Sequence, residues 1–273
     1  MEFKEILYDK SDRIATITMN RPEKMNAWTG TMGAEMRTAM LDAERDDYIR
    51  VMIVTGAGRA YCAGADMTAL GEISAGRQSA RATVRSQDEF AKDERPDYQT
   101  VYSWPLALKT PVIGAINGAC VGMGFTQCLY QDIRIASDRA RFGLIFTQRG
   151  LAIEHGSSWM LPRLVGVSRA LELAITGKLV DANEALAMGL VSRVVPHDKL
   201  METARAMAAE IAQKCSPLGM WQAKKMIYEH LFTDLATAIR DDDASMTMMT
   251  RSDDFKEGIR AFVEKRPPNF TGR

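Results

Sequence analysis

Val112-Ile113-Gly114-Ala115-Ile116-Asn117-Gly118-Ala119-Cys120-Val121-Gly122-Met123-Gly124-Phe125-Thr126 is the stretch on which the fold turns. Its first five residues form an unbroken apolar run stopped by Asn-Gly, the pattern of a strand buried on both faces. Glycines and an apolar helical stretch follow, so the segment reads strand, turn, helix. A second copy of this grammar lies upstream. Val51-Met52-Ile53-Val54 is stopped by Gly56 and leads into Ala57-Gly58-Arg59-Ala60-Tyr61-Cys62-Ala63-Gly64-Ala65-Asp66-Met67. Two strand-turn-helix units in one chain argue for an α/β fold.

The rest of the chain fits around them. Residues 3–20 alternate charged and apolar positions about a polar turn at Asp9 to Asp12, predicting an opening hairpin whose clearer strand is Ile14 to Thr18. Thr29 to Arg45 sets Met32, Met36, Met40 and Ala43 at helical spacing. Ile133 to Ala136 predicts a further strand, and Ser157 to Val165 and Ser168 to Thr176 two helices. From Pro196 onward the pattern is helical, with Leu200 to Lys214, Leu218 to Leu231 and Asp234 to Thr250 the main segments. The chain thus divides into an α/β core over 1–195 and a helical layer over 196–273. Between the two strand-turn units, Gly71 to Lys109 carries Pro96, Pro105, Tyr98, Tyr102 and Trp104, and reads either as a helical insertion or lid or as a mobile loop.

Composition narrows the function. The 273 residues are 46% apolar, and 35 Lys and Arg balance 35 Asp and Glu, so no overall charge draws the chain to nucleic acid or an anionic membrane. An anionic ligand must be held by local cations. Cys62, Cys120, Cys128 and Cys215 show no CxxC spacing and read as reduced structural thiols. The N-terminal residues lack a secretory pattern and no apolar run approaches the roughly 20 residues of a membrane span, so a cytoplasmic protein is expected. No spacing of His, Cys and acidic residues suits a metal.

The two turns carry the chemistry. At the first, Tyr61 stands where a dinucleotide fingerprint needs glycine, and the Gly-Lys-Ser/Thr of a phosphate loop is missing, so both nucleotide readings fail. Unpaired N–H groups at a helix start stabilise negative charge, and two such turns can converge on one carbonyl oxygen. A tight turn at the first site and close helix packing through Gly122 and Gly124 at the second are the alternatives.

With Arg21-Pro22-Glu23-Lys24-Met25-Asn26-Ala27, Tyr61 to Asp66, Lys109 to Gly118, Asp132 to Ala136, Ala140 to Gly143, Ala185 to Val191 and Phe262 to Arg266 in this order, the chain resembles the enoyl-CoA hydratase/isomerase (crotonase) superfamily along its whole length. The resemblance implies a spiral of ββα units with a C-terminal helical layer that assembles trimers or hexamers, and an acyl-CoA thioester substrate in lipid and fatty-acid metabolism. Coenzyme A would then be part of the substrate, with no separate cofactor. The backbone N–H groups of Ala65 and Met123 would form an oxyanion hole. Met25 and Ala27 would line the CoA channel, Ala63 would offer main-chain groups to adenine, and Gly64, Asp66 and Met67 would complete the first loop, Asp66 chiefly by organising it. Met123 replaces a common glycine, so its side chain must point away from the acyl pocket or narrow it. Arg21, Lys24, Lys265 and Arg266 are the candidate cations for the CoA phosphates.

In hydratases of this superfamily two glutamates handle the protons; the matching positions here are Thr126 and Phe146. Glu154 matches the acidic residue of several isomerases, and Ile153, Phe146 and Trp159 are expected to enclose it and raise its pKa. Its alternative role is a cap for the helix starting at Gly156-Ser157-Ser158. His155 either assists Glu154 or packs. Isomerisation needs a single base, so it leads; an atypical hydratase, a C–C or thioester hydrolase using Glu154 and His155, and a non-catalytic acyl-CoA-binding subunit are the alternatives.

Overall fold

The computed structural model describes residues 2–76 and 95–273. In chain order its elements are β1 (Ile6–Ser11), β2 (Ile14–Met19), α1 (Gly30–Arg45), β3 (Val51–Gly56), β4 (Ala60–Cys62), α2 (Met67–Ser74), β5 (Val112–Ile116), β6 (Ala119–Val121), α3 (Met123–Cys128), β7 (Ile133–Ser137) and β8 (Arg141–Gly143). They are followed by α4 (Ser157–Val165), α5 (Val167–Thr176), β9 (Val180–Asp181), α6 (Ala182–Ala187), β10 (Arg193–Val195), α7 (Leu200–Lys214), α8 (Pro217–His230), α9 (Leu235–Met249) and α10 (Asp253–Glu264). The described part of the 71–109 segment holds the end of α2 and two single 3₁₀ turns, at Pro96–Tyr98 and Trp104–Ala107; the rest of the expected insertion lies outside the described residues.

The opening hairpin forms, but its turn is shorter than the sequence suggests. β1 runs on through Ser11, and a two-residue turn at Asp12 and Arg13, both left-handed, joins it to β2. That geometry matches the strands' right-handed twist, so the ladder gains bonds by extending to it. β1 is the antiparallel edge of a six-stranded sheet, β1-β2-β3-β5-β7-β10, whose other pairings are parallel. Each of β3, β5 and β7 is followed at once by a short strand, β4, β6 or β8, which leaves for a second sheet of order β4-β6-β8-β9. A helix follows β4 and β6 in turn. Repeated, this is the spiral of ββα units that the resemblance implies.

The apolar runs are continuous because both faces of the first sheet are covered. In β3, Met52 and Val54 face the main core while Val51 and Ile53 face the other side. That other side is closed by α7, whose Leu200, Ala204, Ala208 and Ala212, four residues apart, press on Ile53, Ile113 and Ile135. The small alanines let the helix lie close to the strands. Thr29 caps α1 by accepting from the Met32 N–H at 3.0 Å, and Met32, Met36, Met40 and Ala43 are buried as their spacing predicts. α8 docks through Lys224 and Tyr228, which both reach Asp132 at 2.9 Å, and Asp132 also accepts from the Val112 N–H at the start of β5. Among the described residues no helix is long and apolar enough to cross a membrane.

Candidate active site

The two glycine turns meet. Parallel pairing of β4 with β6 sets Ala60 beside Ala119 and Cys62 beside Cys120, so the loops leaving these strands emerge side by side. Gly64 and Gly122 both have positive φ, 120° and 53°. Only glycine adopts such conformations freely. A Cβ built on Gly122 would lie 3.8 Å from the Gly64 Cα, which shows how near the two backbones run. Directly after these glycines come Ala65 and Met123, whose N–H groups donate to no atom among the described residues. Met123 opens α3, where helix geometry leaves N–H groups unpaired. Its side chain is buried, with the sulfur 4.0 Å from Gln127 Nε2 along the same helix.

A third segment is laced to the first turn. Met25 and Asn26 are left-handed, and the fully buried Asn26 side chain donates to the carbonyls of Ala57 (2.9 Å) and Ala60 (2.8 Å). Further along, the Ala63 N–H donates to Met25 O, the Trp28 N–H to Gly64 O and the Asp66 N–H to Trp28 O. Met25, Ala27, Ala63 and Gly64 are thus brought together. The Ala63 N–H is thereby used, while no hydrogen bond engages its carbonyl among the described residues. Asp66 accepts from the Thr68 N–H at 2.9 Å and from Arg21 Nη2 at 2.9 Å. These partners, the Thr68 N–H foremost, hold its carboxyl below the usual range. Met67 is exposed.

Of the four candidate cations, two are committed inside the molecule. Arg21 binds Glu5, Asp66 and the Ala27 carbonyl, and Arg266 binds Glu257 and Glu264. Lys24 and Lys265 are exposed, and no ion pair engages either among the described residues.

Glu154 departs from expectation in one respect. Phe146, Ile153 and Trp159 do not enclose it: its side chain is 43% exposed, because the loop turns outward before α4. It does not cap that helix either, since the N-cap is Gly156 and no side chain fills the role. Its carboxylate faces His155, Oε1 to Nε2 3.2 Å. His155 has a left-handed backbone (φ 53°), its ring lies 3.9 Å from that of Tyr102, and its carbonyl accepts from the Tyr130 hydroxyl. Burial, and then the charge of Glu154, push the Tyr102 hydroxyl pKa up; burial raises that of Tyr130 to about 12. Thr126 is fully buried and Phe146 nearly so. Beside His155 opens a cavity of about 420 Å³, with Tyr98, Tyr102, Trp159 and Phe232 among its walls. Sequence reasoning did not find Tyr130 or Phe232, and no motif marks them. Among the described residues no group of three or more His, Cys, Asp and Glu is set to hold a metal.

A family model described as Enoyl-CoA hydratase/isomerase matches residues 9–273. Over its full length the chain is 37% identical to a probable enoyl-CoA hydratase of Rhodobacter capsulatus, with 100% of both chains covered. It is 34% identical to the 1,2-epoxyphenylacetyl-CoA isomerase of Escherichia coli K12, again over 100% of each. The crystal structure of an enoyl-CoA hydratase from Bacillus anthracis matches with a TM-score of 0.85 and 31% identity, covering 99% of this chain and 100% of that one.

Proposed function

The chain belongs to the enoyl-CoA hydratase/isomerase family, and from that premise we propose that it shifts the double bond of an unsaturated acyl-CoA through an enolate. The thioester oxygen sits against the N–H groups of Ala65 and Met123. Glu154 takes a proton from the carbon α or γ to the carbonyl, and the C–H electron pair moves into the conjugated system as the oxygen gains negative charge. The same carboxyl returns the proton at the other end, so no atom is gained or lost. Two backbone donors aimed at the oxygen stabilise the charge only as it develops. Lys24 and Lys265 are the cations left for the CoA phosphates.

The observation that carries this reading is the state of the carboxylates. Asp66 is held ionised by the Thr68 N–H and Arg21, whereas Glu154 has the His155 imidazole beside it, caps no helix and stands open to solvent. One mobile proton carrier suffices for a 1,3-shift. The buried hydroxyl of Thr126 and the ring of Phe146 cannot supply the second carboxylate that water addition uses in typical hydratases. Hydration or hydrolysis is the second reading, favoured by the 3.2 Å Glu154–His155 contact, which suits activation of a water.

Assembly into trimers or hexamers through residues 196–273 belongs to the same proposal. It is supported by apolar side chains left in solvent there, including Ile227 on α8, Leu235 on α9, and Phe262 and Val263 on α10. Mass spectrometry of products from 2-enoyl-, 3-enoyl- and 3-oxoacyl-CoAs tests the chemistry. A product of unchanged mass that separates chromatographically from its substrate is expected. Gain of water, cleavage of the acyl chain, or tight binding without reaction would each point to one of the other activities.

A further inference from the structure

We propose that the acyl group received here carries an alicyclic or aromatic hydrocarbon ring, seated between Tyr98, Tyr102, Trp159 and Phe232. The inference rests on the acyl-CoA reading of the Glu154 site and specifies its substrate class. His155, the neighbour of the proposed proton carrier, is one wall of the cavity, so on that reading a group filling it is attached close to the reacting carbons. A pocket of roughly 150 Å³ already holds benzene, and about 420 Å³ therefore accepts a ring together with its linker.

The walls fit such a group in shape and chemistry. Trp159 and Phe232 are stacked at 4.7 Å with 15° between their planes. Arg163 lies 3.7 Å from the Trp159 ring and Arg95 3.6 Å from that of Phe232, extending the stack and stiffening it. Tyr102 is fixed against His155 from another side. Rigid rings whose faces are taken up by this stack can still meet a bound ring through their edges at little entropic cost, whereas a straight alkyl chain loses rotamer freedom when ordered.

Several polar groups along the lining already have partners within the protein. Thr100 Oγ1 and Ser103 Oγ are 2.6 Å apart, the Ser103 hydroxyl also reaches the Asp97 carbonyl, and the Asp97 carboxylate pairs with Arg95 at 3.1 Å. The Tyr130 hydroxyl donates to the His155 carbonyl. A hydrocarbon ring leaves these bonds intact; a hydroxylated one would compete with them.

The test compares 4-cyclohexylbut-3-enoyl-CoA with dec-3-enoyl-CoA, which have equal carbon number, and measures binding of their saturated analogues in parallel. The ring substrate should be preferred in kcat/KM by about tenfold, the product of two contacts each worth roughly threefold. Trp159→Leu and, independently, Phe232→Leu should each lower that preference by about one such factor. A preference at or below unity, with both substrates turned over, overturns the ring assignment and spares the isomerase reading. If neither substrate turns over, the analogues decide. Tighter binding of the ring analogue, lost in the two variants, supports the pocket while sinking the isomerase; equal or weaker binding sinks the pocket.

Discussion

Gly124→Ala is the substitution whose effect the structure sets most directly. Gly124 lies in the first turn of α3, where it packs on the end of β4. An added Cβ would stand 2.7 Å from the Cys62 Cβ, 2.9 Å from the Cys62 carbonyl carbon and nearer still to the Cys62 carbonyl oxygen. Carbon atoms pack at about 3.5–4.0 Å, so the two loops must part by about 1 Å. Because backbone forms the obstacle, no rotamer change relieves it. Overpacking of this kind costs about 1–3 kcal/mol of stability. The larger effect falls on turnover: a displacement of about 1 Å between groups that must act together typically costs about 10²-fold. The assay is turnover of a 3-enoyl-CoA well below the melting temperature of the variant, beside Gly30→Ala, where an added Cβ meets nothing within 4 Å. A folded Gly124→Ala protein with turnover within threefold of wild type would refute the argument that this contact sets the site.

Ala65→Pro deletes the N–H that is proposed to bind the thioester oxygen, and turnover should fall by about 10²–10³-fold with the fold retained; near-normal turnover in a folded variant removes Ala65 from the site. Alkaline stability supplies a separate check. Burial pushes the Cys62 thiol up to about 11 and the Tyr130 hydroxyl up to about 12. For groups raised in the folded state, the stabilisation is complete below the unfolded pKa and is lost as pH rises through the folded value. Stability measured by urea titration should therefore decline between about pH 9 and 12, by about 2–3 kcal/mol per group at most. Cys62→Ala should flatten the part between about pH 9 and 11, and an unchanged slope there would contradict it. Light scattering should give a trimer or hexamer; a monodisperse monomer at working concentration counts against the assembly proposed for α8 to α10.

How much of this was legible in the chain depended on the length over which each signal ran. α1 announced itself through Met32, Met36 and Met40, and β3 and β5 through apolar runs that only a sheet covered on both sides explains. The three-residue strands β4, β6 and β8 are too short for a period to show, so the second sheet was invisible, and the residues of β4 and β6 were read as parts of the turns. Residues brought together from far apart stayed hidden for a different reason. Arg21 reads as a free cation until Asp66, 45 positions away, is folded against it. Nothing local to Glu154 shows that its loop turns outward, and the stacking of Tyr102 on His155 joins segments with no common motif.

The central claim is that Glu154 moves the proton beside an enolate held by the two turns. Its most direct test is exchange of the substrate's α-proton with deuterated solvent, followed in wild type, Glu154→Gln and His155→Ala. Glutamine keeps size and hydrogen bonding but removes the base, so exchange should fall by about 10²–10⁴-fold while acyl-CoA affinity persists. His155→Ala should do less harm to isomerisation. Exchange that survives undiminished in Glu154→Gln would contradict the account and place the base elsewhere.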